Sequence, residues 1–69
     1  MCLSTVYRAG ETLSPDSVLA EYVTGIEVDE QAGLVRLRDI TGEQSEYKGR
    51  LCSVDLIKNQ AFLALDSAK

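Results

Sequence analysis

The chain of 69 residues carries 7 basic and 11 acidic side chains, for a formal charge of −4, with two cysteines and no histidine. An acidic balance with Lys and Arg scattered rather than striped disfavours a phosphate-backbone ligand, and without His the commonest general base is missing. The length allows one domain over residues 1–69 with a thin core, of the size that is usually stapled by disulfides, a structural metal or oligomerisation.

The opening Met1-Cys2-Leu3-Ser4-Thr5-Val6-Tyr7 is rich in β-branched and aromatic residues and gives way to Gly10, which predicts a first strand. Its two faces are Cys2, Ser4, Val6 and Leu3, Thr5, Tyr7, and neither is plainly the core face. A strand of that kind fits cover on both sides, by a core and by a dimer partner. Ser14 before Pro15 reads as the cap and first residue of a short helical turn. Pro15 also argues against a central strand, so the stretch Ser14 to Ser17 is a turn or loop of no assigned role, and a strand resumes near Val18 or Tyr22.

From Tyr22, the alternation of Thr24, Ile26 and Val28 with Gly25, Glu27 and Asp29 predicts a strand that turns at Glu30-Gln31-Ala32-Gly33. Leu34 to Ile40 sets Val35 and Leu37 against Arg36 and Arg38, one face apolar and one wet. After a turn at Thr41-Gly42-Glu43, Gln44 to Lys48 reads as a polar edge strand ending at Gly49. Arg50 to Ile57 reads as another strand, with Cys52, Val54 and Leu56 on one face. Ala61 to Leu65 completes a terminal hairpin, and Asp66 to Lys69 frays. The pattern is all-β, a small antiparallel barrel or curled sheet of five to seven short strands.

No basic stretch followed by an apolar run precedes the first strand, and nothing approaches a membrane span, so the expected location is the cytoplasm. Thiols stay reduced there, which sets aside a disulfide between Cys2 and Cys52. Two isolated cysteines and no histidine also cannot make a closed intrachain zinc site. By elimination a homodimer is the expected staple. No nucleophile motif or phosphate loop is present, and Glu27 and Asp29 fall on a solvated face, so the chain is read as a binding protein rather than an enzyme. Cys52 is expected in the core as a small hydrophobe, and Tyr7, Tyr22, Tyr47 and Phe62 are expected to pack there too.

Cys2 stands apart because its thiolate lies within one residue of the α-amino group and of backbone amide nitrogens. If Met1 is cleaved, amine and thiolate share a residue and close a five-membered chelate. If Met1 is retained, its amine and the Cys2 amide are offered instead. Either donor set mixes S and N and suits nickel(II) or copper better than calcium or magnesium. One chain does not fill the coordination sphere, whereas a twofold axis near the first strand would bring two Cys2 sulfurs to one metal. Cys2 and Met1 are the candidate metal ligands, and no catalytic residue is assigned.

The opening Cys2-x-Ser4-x-Val6-Tyr7, together with Glu21-Tyr22-Val23, Ile26-Glu27-Val28, Val35-Arg36-Leu37, Gly42-Glu43, Gly49-Arg50 and Val54-Asp55-Leu56, resembles the CooT family of small nickel-binding proteins along nearly the whole chain. The resemblance implies an SH3-like β fold and a homodimer with Ni(II) at its interface, held by the cysteine that matches Cys2. It also implies a role in nickel delivery to a client such as carbon monoxide dehydrogenase. A second resemblance, to the hydrogenase-assembly chaperone HypC, which also begins Met-Cys, would make Cys2 a contact to an iron centre or a partner protein; the chain lacks the Pro that closely follows that family's cysteine. A small-barrel RNA-binding module is the third reading, and the acidic balance opposes it.

Overall fold

Alternation of apolar and polar residues and glycine-bearing turns produce five strands in the computed structural model, which describes residues 3–10 and 15–66. They are β1 (Ser4–Arg8), β2 (Val18–Asp29), β3 (Leu34–Asp39), β4 (Gln44–Asp55) and β5 (Gln60–Leu65), with one short 3₁₀ turn at Pro15–Ser17 before β2. Consecutive strands pair antiparallel, and β1 closes the ring by pairing parallel with β5. The architecture is the small all-β sheet expected from the pattern, with strands starting or stopping within a few residues of the predicted bounds.

Val6, Val23, Val35, Leu37, Ala61 and Leu63 are buried inside the ring, with Leu19, Ala20, Ile26, Tyr47, Leu51 and Leu65 packed against them. The ambiguity of the first strand resolves in favour of Val6, which is fully buried opposite Ala20. Tyr47 leans into the same cluster and its hydroxyl donates to the Leu19 carbonyl at 3.0 Å, the usual way a half-buried tyrosine satisfies its polar end. Tyr7 and Phe62 sit side by side on β1 and β5, stacked with ring centres 5.5 Å apart.

Two expectations are corrected. Gln44 to Lys48 is no edge strand and does not stop at Gly49: β4 runs unbroken to Asp55, pairing first with β3 and then with β5. Gly49 is the fold point, at φ +150°, and a Cβ there would collide with the Ala64 carbonyl oxygen and lie 2.8 Å from Leu65 Cα. Glycine is therefore required for the strand to change partners rather than to end. Cys52, in turn, is exposed rather than buried. Leu51 pairs with Leu63 and Ser53 with Phe62, so Cys52 is the extra residue of a β-bulge. The face it shares with Val54 and Leu56 is the outer one, since both of those are exposed as well, and the residue of this stretch that packs on the core is Leu51.

Candidate functional site

Cys2 and Met1, the residues nominated by the sequence, lie outside the described residues, as does Ser14 of the Ser14 to Ser17 stretch. The described chain that follows Cys2 in sequence begins at Leu3, with β1 from Ser4. Ser4 pairs with Val23 on one side. On the other side Thr5 pairs with Gln60, and the Thr5 amide donates to the Asn59 carbonyl at 2.9 Å. Leu3 thus stands on a rim between the middle of β2 and the β4–β5 turn. Val23 pairs onward with Asp39, which adds the end of β3 to the same rim.

This rim carries the most exposed apolar side chains of the described residues. On the β5 side, Leu56 is 80% and Ile57 93% accessible, with Val54 half-exposed beside them. The turn that holds them out is preorganised: Asp55 Oδ1 accepts from the amides of Ile57 and Lys58, both at 3.0 Å, and Asn59 takes the left-handed φ of +57° that asparagine tolerates. On the β2 side, Tyr22 is 60% and Ile40 58% accessible, and the Ile40 amide donates to the Tyr22 carbonyl at 2.9 Å. Tyr22 is not the core residue its aromatic character suggested. Between Ala20 and Val23, β2 spends two residues where β1 spends one, and Tyr22 occupies this bulge at φ +58°. Glycine is the usual occupant of such a position, and a bulky side chain there is an outlier.

The outward face of β3 continues from this rim with Arg38 and then Arg36. Arg36 Nε donates to Glu46 at 2.9 Å and its Nη1 to Glu27 at 3.2 Å, one carboxylate from each neighbouring strand. These bonds, Glu46 foremost, hold the guanidinium more firmly protonated than usual. Arg38 stands between Gly25 and Gln44 in the register and has no ion pair among the described residues. Its guanidinium lies over the bare backbone of Gly25, where a Cβ would come within 2.8 Å of Nη2. Thr24 closes this corner, its hydroxyl donating to the carbonyls of Arg38 at 3.2 Å and Asp39 at 3.3 Å.

Asp39 ends β3 as a turn anchor. Its Oδ1 accepts from the Thr41 hydroxyl at 2.6 Å and from the amides of Thr41 and Glu43 at 2.9 and 3.1 Å. The Thr41 hydroxyl bond, with the backbone amides behind it, keeps this carboxyl below its usual range. Glu27 and Asp29 are exposed, as read from the sequence, and Glu27 serves the Arg36 pair. Among the described residues no cluster of three or more Cys, Asp or Glu is placed to hold a metal ion, and no helix is long and apolar enough to cross a membrane.

The structure therefore brings the start of β1, at Leu3 and Ser4, near Tyr22, Ile40, Leu56 and Ile57, which sequence reading did not single out. One signal was present: Leu56 and Ile57 are consecutive, so both cannot face inward on a strand. The family model described as CO dehydrogenase accessory protein CooT matches residues 1–64. No curated protein and no solved structure matches the chain.

Proposed function

The chain belongs to the CooT family of CO dehydrogenase accessory proteins, and from that premise we propose that it is a nickel-binding accessory protein, a metallochaperone without catalytic chemistry of its own. Cys2 supplies a thiolate beside backbone or terminal nitrogen, a donor set suited to Ni(II). Because one chain offers too few donors, two copies related by a twofold axis share one ion through paired Cys2 residues, with the Met1 amine joining where Met1 is retained. CO dehydrogenase is the client to which the ion passes, in the cytoplasm.

The observation that supports this reading is the placement of the first strand: Leu3 stands on a rim whose large apolar side chains are exposed among the described residues. At the β4–β5 turn, Leu56, Ile57 and Val54 form an exposed aliphatic group, the kind of side chain that lasting homodimer interfaces favour over transient ones. A second copy seated against this turn buries them and brings two N-terminal segments toward one axis.

Titration of the purified protein with Ni(II), followed by thiolate-to-metal charge-transfer absorption, is expected to saturate at one ion per two chains. Cys2→Ser is expected to abolish the absorption. Unchanged nickel binding in that variant would sink the site assignment, and saturation at one ion per chain would sink the shared site.

A further inference from the structure

We propose that Tyr22, Ile40 and Arg38 form a docking face for an acidic partner surface, a carboxylate seated on Arg38 with an apolar side chain against Tyr22 and Ile40. The partner is the client metalloenzyme, and in this the proposal rests on the accessory role stated above. Arg36 and Arg38 are neighbours on one face of one strand. Arg36 is saturated by Glu27 and Glu46, whereas Arg38 meets Gly25 and Gln44 at the corresponding positions. In a chain of charge −4, a guanidinium resting on bare backbone with no carboxylate partner among the described residues is an open positive point, and its planar fork suits a carboxylate from outside.

The tyrosine is the second, independent observation. A left-handed bulge position calls for glycine, yet Tyr22 stands there with most of its ring in water, so the backbone strain gains nothing for the fold. Strain held at an exposed aromatic points to a contact made outside the chain. Ile40 lies beside it through the backbone bond to Tyr22. Tyrosine and arginine are among the residues enriched in interface hot spots, where a few side chains carry the affinity. The turn on the other flank of Leu3 carries Leu56, Ile57 and an exposed Lys58, with no aromatic side chain and no planar guanidinium. The two flanks divide accordingly, the Leu-Ile one facing a second copy and the Tyr-Arg one facing the client, with Leu3 between them.

The test is binding of the host's purified nickel-free CO dehydrogenase to the full chain, read by calorimetry, with sedimentation and thermal melting run on every variant. Arg38→Glu is expected to weaken binding at least about tenfold, and added salt is expected to narrow the gap between variant and wild type. Tyr22→Gly is expected to weaken binding while the melting temperature holds or rises, because the strain is relieved; a merely structural tyrosine would lower both. If both variants bind as wild type does, the face is wrong while the accessory contact stands. If wild type itself does not bind, the accessory contact fails and the face with it. Conversion of the dimer to a monomer by Tyr22→Gly or Ile40→Ser would assign the face to a second copy and overturn the proposal. Nickel uptake by the isolated chain, measured in parallel, reports on Cys2 separately.

Discussion

At the tip of the β2–β3 hairpin the exposed side chains are Glu27, Asp29, Glu30 and Gln31, with Val28 half-exposed among them. The arginine serving that stretch, Arg36, bonds a carboxylate on each side. At the rim around Leu3 the exposed side chains are Tyr22, Ile40, Leu56 and Ile57, and the arginine beside it, Arg38, pairs with no carboxylate among the described residues. Both regions belong to the same closed sheet and both face water. At the hairpin Glu27 is matched by Arg36 and Asp29 accepts from the Ala32 amide of its own turn, and one half-exposed valine among polar side chains calls for no partner. Around Leu3, by contrast, exposed apolar side chains and an arginine without a carboxylate partner among the described residues gather on one rim, the kind of surface that marks an interaction site.

Gly49 binds the two regions to each other, so its loss has the largest expected effect. It donates its amide to Gly33 at the hairpin, at 2.9 Å, and pairs with Leu65 on the strand that leads back toward the rim. Gly49→Ala places a Cβ against the Ala64 carbonyl at a backbone angle that disfavours side chains, with a cost of about 3 kcal/mol in chemical denaturation. Because β4 would no longer pass cleanly from β3 to β5, protection of amides in both regions falls together. Loss confined to one region would show that the halves of the sheet fold separately.

The next contrast is in self-association. Aspartate at both Leu56 and Ile57 buries two unpaired charges in the proposed dimer contact, and the dimer dissociation constant rises at least about a hundredfold by sedimentation. The same change at Val28 on the hairpin tip leaves it unaltered. Equal responses at the two places would remove the distinction between the hairpin and the rim. Nickel stoichiometry is expected to follow the dimer in the first variant and stay intact in the second.

Much of the fold could be read from local pattern, while the rim could not. Val35 and Leu37 face inward and Arg36 and Arg38 outward as alternation requires, and Pro15 opens the short turn its neighbour Ser14 suggested. Gly49 was read as a strand end because glycine marks ends and fold points alike, and only the register against Leu65 separates them. Cys52 was misplaced because the apolar residues Val54 and Leu56 suggested a core face where the structure has an outer one, and Tyr22 because its aromatic character suggested the core while a bulge with no glycine to announce it leaves it exposed. The candidate site divides in the same way. Cys2 is nominated by its position in the chain, whereas the residues around Leu3 are set by pairings between β1, β2, β3 and β5, distant in sequence, and by which strand supplies a carboxylate to which arginine.

Acid sensitivity separates the rim from the hairpin through Asp39, which anchors the β3–β4 turn beside Ile40. Its carboxyl is depressed in the folded protein, so its contribution is whole above the ordinary value near 3.8 and is lost as pH falls through the lower folded value. Acid below pH 4 is thus expected to loosen the Asp39–Glu43 turn, seen as faster amide exchange at Thr41 and Glu43, and Asp39→Asn flattens that part of the pH profile. An unchanged profile in the variant would mean that Asp39 does not anchor the turn.

The smallest effect is the most discriminating for the two arginines. Arg36→Ala breaks two exposed ion pairs and leaves Glu27 and Glu46 facing each other across β3, so the melting temperature falls slightly, and less in high salt. Arg38→Ala removes a side chain that pairs with nothing in the described chain, and the melting temperature stays within error of wild type. The two substitutions delete the same charge from the same face of the same strand, so composition and local propensity cancel between them. A difference in stability therefore reports only on the flanking carboxylates. Should Arg38→Ala prove as destabilising as Arg36→Ala, its guanidinium would have an internal partner, and the rim would be as complete in its charges as the hairpin tip.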